Sequence, residues 1–418
     1  MFTLAPSFTL QVMRHHRTES FSKACLVGVF FFFPISLAVA NTLMALTLLS
    51  WLITGHFRSH WQVLRTNPMT LPALLMYGLI VLGCFYTPAT WPEIWQHLGK
   101  YSKFLFLLIA ISLLQETAWQ RRCWQAFTAA MLITLISTYA NIEFDLPWSN
   151  THNQGWGVDH TVFNHHIPQE LLMSFFAAMC LQQLFHAKHR THQFLWAALC
   201  CMTALSVTHL SIGRTGYTAI AICLVIVSFF NFRSFQRYWM VAVVVLCIAA
   251  LAVTSTQLQD RVKLGIHEVK TTNHKEITSL GARVLMWKTS LESIKQSPII
   301  GHGTGSYHSL AEKAFNDKAW CGIVCFHPHN QFLFFGVEYG VIGILAYAFY
   351  FYRPLRYALR DRPKSQPLLL SFLGIFALDS MTHGAMWLSV ENHFFTFLLA
   401  LFMANAKNTP DKELKSLT

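Results

Sequence analysis

Apolar runs recur along this chain of 418 residues from near residue 24 to residue 404, and they leave few folds open to it. A helix needs about 20 mostly apolar residues to cross a bilayer, because lipid offers no partner to unpaired backbone groups. Such runs fall near 24–39, 41–55, 70–87, 101–115, 123–141, 167–185, 193–211, 214–231, 238–256, 330–351, 367–383 and 391–405. Only 12% of the residues are charged, against roughly a quarter in soluble domains. The expected fold is all-α: a polytopic transmembrane bundle of about twelve helices, with one large external loop containing short helices. The first run passes straight into the second without a small-residue cleavage site, so it reads as a helix pair bent at Pro34 and not as a signal peptide.

A formal charge of +12 would suit nucleic acid in a soluble protein. In a membrane protein the placement of the charges matters more, and no nucleic-acid partner is expected. With a cytoplasmic N-terminus, the short inside segments carry 19 Lys and Arg, and the short outside segments carry three, Lys100, Lys103 and Arg214. Nine more lie in the long loop, which is exempt from the positive-inside rule. One span more or fewer would invert the bias, so an even number with both termini inside is expected. The organisation is then helices one to nine over 1–256, a loop domain over 257–329, helices ten to twelve over 330–405, and an inside tail over 406–418. Of ten cysteines, eight fall in apolar spans, where Cys behaves as a small hydrophobe. Cys321 and Cys325 lie in polar sequence on the external side, where a disulfide and a pair of free thiols both stay open.

Two external segments stand out. Residues 142–166 are rich in Trp, Asn, Asp and His and lack Lys and Arg. Within 257–329, Val284, Trp287, Leu291 and Ile294 recur at helical spacing over 281–296. Pro298 and the string Gly301-His302-Gly303-Thr304-Gly305 follow; without a Gly-Lys-Ser/Thr ending this is a turn and not a phosphate loop. Trp148, Trp156, Trp287 and Trp320 read as an interface belt, with stacking on sugar rings as the functional alternative.

The string His327-Pro328-His329-Asn330 opens a span and is followed by Gly340 and Gly343. It sets an imidazole at the mouth of a membrane helix, and histidine is the usual general base near neutral pH. A lone histidine there would ordinarily be a helix cap; the spacing and position favour chemistry. Arg214, in Ser211-Ile212-Gly213-Arg214-Thr215-Gly216, starts a span against the charge bias, as a snorkelling side chain or a functional one. Arg283 opens the loop helix, where a solvated helix charge is the ordinary reading. Guanidinium forks bind phosphate oxygens bidentately, so His329, Arg214 and Arg283 form a coherent catalytic set. Their neighbours His327, Asn330, Trp287 and Lys288 are expected to contact substrate. Asp379 and His383, one turn apart, read as a buried pair, and Glu170, Glu338 and Glu391 as partners of the external arginines.

His329-Asn330 through Gly340 and Gly343, the Ser-Ile-Gly-Arg string, and the run Arg283, Pro298, Gly301, Gly303 together resemble the O-antigen ligase family. That family shares its core with O-antigen polymerases and protein O-oligosaccharyltransferases. The resemblance spans roughly 24–405 in topology, with its motifs concentrated in 211–343. It implies a GT-C-like membrane glycosyltransferase of the cell inner membrane with its site in the periplasm. The implied reaction moves O-antigen polysaccharide from undecaprenyl pyrophosphate to the outer-core sugar of lipid A–core. His329 then resembles the catalytic base, and Arg214 and Arg283 the pyrophosphate-binding arginines. No cofactor is implied, and the external loops carry no Asp-x-Asp metal motif. The arginines take up leaving-group charge, and single displacement with inversion needs no carboxylate nucleophile. A polymerase joining repeat units is the alternative within the same class. The short tail departs from protein O-oligosaccharyltransferases. A transporter would need broken helices or inverted repeats, and the sequence shows neither. Glycan identity, acceptor hydroxyl and oligomeric state are not legible.

Overall fold

The computed structural model describes residues 6–271, 279–315, 321–322 and 324–407, with side chains over 17–265, 281–315, 321–322 and 324–407. Trp320 and the tail beyond 407 lie outside the described residues. Helix is the regular structure throughout them, with no strand among the described residues. The order runs α1 (Pro6–Phe32), α2 (Leu37–Thr54), α3 (Phe57–Leu64), α4 (Thr70–Gly83), α5 (Trp91–Tyr101), α6 (Lys103–Leu113) and α7 (Thr117–Ala140). After a non-helical segment come α8 (His166–His186), α9 (Arg190–His209), α10 (Arg214–Asn231) and α11 (Gln236–Thr254). The large loop holds α12 (Thr256–Thr271), α13 (Ser279–Gln296) and α14 (Ser306–Ala314). The last three described are α15 (Gln331–Arg360), α16 (Gln366–Thr382) and α17 (Ser389–Met403).

The run expected over 24–39 is divided at Pro34, which cannot continue the helical ladder, so that its end belongs to α2 with the second run; each later apolar run falls on one helix. Five of them, α2, α7, α10, α11 and α15, are long and apolar enough to cross a membrane, while α4, α16 and α17 are apolar but shorter. The core sits around α17, whose residues from Val390 to Met403 are all buried. Its rings meet those of α1, α6, α8 and α16: Phe397 lies 5.8 Å from Phe30 and 5.9 Å from Phe106, Phe394 lies 5.8 Å from Phe175, and Phe395 stacks on Phe376 at 4.2 Å. Such pairs add stability beyond the area they bury. The helix α11, by contrast, buries none of its residues.

Segments assigned inside by charge meet one another. Lys23 pairs with Glu116 at 2.6 Å, the Asn67 amide donates to the carbonyls of Met403 and Ala406, and Gln115 donates to that of Ala404. Segments assigned outside likewise meet: Asn164 donates to Pro34 O, Tyr86 to Ile300 O, and Thr87 to Thr304 O.

A broken helix, which the sequence does not reveal, lies at the centre of the second group. α15 is interrupted at Gly340, with φ 62° and ψ −154°. The loop after α13 crosses the gap and replaces the lost helical bonds. Val341 N–H donates to Pro298 O at 2.8 Å and Ile342 N–H to Ile299 O at 3.4 Å, while His302 and Gly303 N–H donate to the carbonyls of Val337 and Glu338 at 3.0 and 2.8 Å. Buried backbone groups must be paired, and irregular backbone at membrane depth persists only where protein supplies the partners. The Pro-x-x-Gly-x-Gly string is therefore a stitch across a helix break, which is more than the simple turn read from its glycines. A side chain at Gly340 would strike Ile299 and Ile300 backbone atoms.

The face of α13 is also corrected. Val284 and Leu291 are 56% and 50% exposed, and the buried positions are Ala282, Met286, Thr289, Ser290 and Ser293. Small side chains let this helix approach α15 closely, where Ile294 lies against Gly336. The apolar stripe read from the sequence mixes that face with an outward one.

Candidate active site

The first turn of α15 is fixed by its own residues. Asn330 is the N-cap: its side-chain oxygen accepts from Leu333 N–H at 3.0 Å, and its amide donates to Met381 O at 3.2 Å. This ties α15 to the end of α16 and occupies both ends of a side chain expected to bind substrate. His329, just before it, has φ 48°, a left-handed conformation uncommon for residues other than glycine. The turn is held from both sides: Trp287 Nε1 of α13 donates to Pro328 O at 3.0 Å, and His329 N–H donates to His327 Nδ1 at 3.2 Å. Strain of this kind needs surrounding structure to hold it and is frequent where side chains must be aimed.

Three imidazoles gather here. The His329 ring lies 4.2 Å from that of His327 and 4.9 Å from that of His383. His383, at the end of α16, stands with Nδ1 3.4 Å from Glu391 Oε1 and 3.8 Å from Asp379 Oδ1. The sequence pairs Asp379 with His383 but misses Glu391 as a partner and the packing of His383 against His329. Buried Gln331 fixes the frame, accepting from Met386 N–H at 3.0 Å and donating to Tyr101 Oη at 3.2 Å.

The electrostatics are those of a cationic cavity. Burial, then His383 and Arg283, push His329 down to about 3. His327 is held well below the usual imidazole range by burial and by His329, His383, Lys100 and Arg283. At the first residue of α8, His166 is lowered to about 4 by burial, His165, Arg261 and His383. Burial brings Lys100 of α5 down to about 8 against the opposing pull of Glu391, and its Nζ sits 3.7 Å over the Trp387 ring. Groups that suppress one another's protonation in this way favour an anionic ligand. The Nδ1 of His329 is buried without a hydrogen-bond partner.

The structure thus brings together His327, His329, Trp287 and Arg283 of the expected set. Lys288 is exposed on α13, one position beyond Trp287. Arg214 stands at the start of α10, its guanidinium against Gly265 of α12. Its motif is explained by Glu170, fully buried on α8, which accepts from Ser211 Oγ and from the N–H groups of Gly213 and Gly216 at 2.6 and 3.0 Å. A side chain at either glycine would collide with that carboxylate. The three glutamates have partners other than the external arginines: Glu170 those just named, Glu391 His383, and Glu338 Gly305 N–H at 2.9 Å with His97 Nε2 also 2.9 Å away. Burial alone would lower His97, but the Glu338 carboxylate outweighs it and raises it. Cys321 and Cys325 are disulfide-bonded, with Cα atoms 4.8 Å apart.

Part of the sequence that builds this arrangement is similar to known proteins. Residues 197–348 match the O-Antigen ligase family. The matched region runs from α9 into α15 and contains Arg214, Arg283, the loop across the helix break, His329, Gly340 and Gly343. The likeness to that family over this region is in keeping with the apolar helices. An uncharacterized protein of Haemophilus influenzae is 25% identical over 189 residues, which is 42% of this chain and 46% of that protein. The chain thus spans about half the length of that relative.

Proposed function

We propose that this chain is an O-antigen ligase of the inner membrane, crossing it about twelve times with both termini in the cytoplasm and the histidine cluster in the periplasm. The charge bias supports this orientation, and the Cys321–Cys325 disulfide suits an oxidising compartment. The donor is O-antigen on undecaprenyl pyrophosphate, and the acceptor is an outer-core sugar of lipid A–core. The observation that carries the reading is His329, aimed by a strained turn at the mouth of α15 and buried beside His383 and Arg283.

In the proposed step, an acceptor hydroxyl attacks the anomeric carbon and its proton passes to His329. The bond from that carbon to the pyrophosphate oxygen breaks, and the electron pair leaves with undecaprenyl pyrophosphate. Arg283 and Arg214 stabilise the charge that develops on the leaving group, as preorganised cations do in a water-poor site. The configuration at the anomeric carbon inverts. With burial first, then His383 and Arg283, holding His329 neutral, the base is ready before the donor arrives; the anionic donor then raises its affinity for the proton it must accept.

Deletion of the gene followed by lipopolysaccharide gels tests this. Unmodified lipid A–core with long glycan accumulating on undecaprenyl carrier is the expected result. A core bearing one repeat would indicate a polymerase, and normal lipopolysaccharide would rule out both.

A further inference from the structure

A cleft of about 530 Å3 opens beside the histidine cluster between α5, α14 and the turn before α17, and His327 forms part of its wall. Its volume falls within the range of on the order of 300–1,000 Å3 usual for small-molecule sites. Arg214 and Arg283 are not among its walls; the cleft and the cationic site share His327 and Lys100.

The polar groups of α5 that face the cleft follow one another along a single helix face. Glu93, Gln96 and Lys100 stand at i, i+3 and i+7. Glu93 Oε2 is held by the Thr90 cap, accepting from its N–H at 2.7 Å and its hydroxyl at 2.8 Å. That leaves Oε1 toward the cleft, 3.0 Å from His308 Nδ1 of α14. The open aromatic surface is Phe326, 58% exposed; Trp387 is buried, with Lys100 Nζ 3.7 Å over its ring. A pyranose ring has an apolar C–H face and a rim of hydroxyls that both donate and accept. The exposed Phe326 ring, with a carboxylate, an amide and an imidazole at the edge, matches both parts.

We propose that this cleft is the acceptor subsite: it holds the terminal sugars of the acceptor glycan against Phe326, with Glu93, Gln96 and His308 on their hydroxyls, and presents one hydroxyl to His329. The assignment rests on the ligase reading above. It gives donor and acceptor separate approaches to the base, the pyrophosphate from the arginine side and the sugar from the α5 side.

The test uses the purified full chain in liposomes, with undecaprenyl-pyrophosphate-linked glycan and lipid A–core as substrates. Gln96→Ala and His308→Ala each remove a polar contact from a side chain at the rim, so the KM for lipid A–core rises about tenfold while the KM for the donor stays within about twofold. Gln96→Trp fills the cleft and gives the larger acceptor defect. Thermal melts confirm that the three variants fold. An acceptor KM within about twofold of wild type in all three, or a rise in donor KM in its place, overturns the assignment while leaving the ligase reading intact. A wild-type protein that glycosylates no lipid A–core overturns the ligase reading and the subsite with it.

Discussion

Replacing Gly340 by alanine tests the broken helix on which the site is built. The residue sits at φ 62° and ψ −154°, a region essentially confined to glycine, and forcing another residue there costs about 1–3 kcal/mol. The new Cβ would also lie 2.7 Å from Ile300 N and closer still to Ile299 O and C, all of them backbone atoms that cannot swing aside. The loop must move, and with it at least the bonds from Val341 to Pro298 and from Ile342 to Ile299. Two such bonds contribute about 1–3 kcal/mol in all, so the total is about 2–6 kcal/mol, among the larger effects of a single substitution. Melting of the detergent-solubilised protein, followed by its monodisperse fraction on a sizing column, should fall by on the order of 5–15 °C. Transfer activity should fall with it, because Glu338 and Gly305 belong to the same stitch. Gly78→Ala is the control: it lies in α4, and a Cβ there meets nothing within 4 Å, so stability should be unchanged or slightly higher. Wild-type melting and activity for Gly340→Ala would refute the stitched break.

Three further outcomes follow from the same geometry. The acid limb of kcat/KM should lie well below the usual imidazole value of about 6.5, because burial, His383 and Arg283 lower His329 to about 3 and a lowered pKa keeps the base neutral into acid; a limb near 6.5 would show that these groups do not act on it. Asn330→Ala should cost about 0.5–2 kcal/mol of stability as a lost N-cap and leave both substrate KM values unchanged, whereas a rise in either KM would return Asn330 to the substrate contacts. Trp287→Phe removes the bond to Pro328 O and should lower kcat about tenfold by loosening the turn that carries His329, with unchanged kcat as the refuting result.

The helices were legible because the signal for each is local: a run of apolar residues need only be long enough, and every such run after the first falls on one helix. The short helices α3, α5 and α14, of 8 to 11 residues, carry no run of that kind, and α5 is where much of the cleft lies. Lys100 was legible in principle, since it violates the same charge bias that singled out Arg214. The break at Gly340 was not, because its four replacement bonds come from residues some forty positions earlier, and nothing distinguishes Gly340 from Gly336 and Gly343 in the same apolar run. The outward turn of Val284 and Leu291 was hidden for a related reason: α13 packs through Ala282, Ser290 and Ser293, and small residues do not register as an apolar stripe. Gathering His383 and Glu391 beside His329 required three segments to meet, which no spacing within one of them can report.

The most direct measurement of the central claim is glycan transfer by the purified protein, from undecaprenyl pyrophosphate to lipid A–core, in wild type and His329→Ala. Wild type should yield glycosylated lipid A–core and undecaprenyl pyrophosphate in equal amounts, and His329→Ala should be slower by about 100-fold or more while binding the donor normally. A His329→Ala protein that transfers at the wild-type rate would contradict the account.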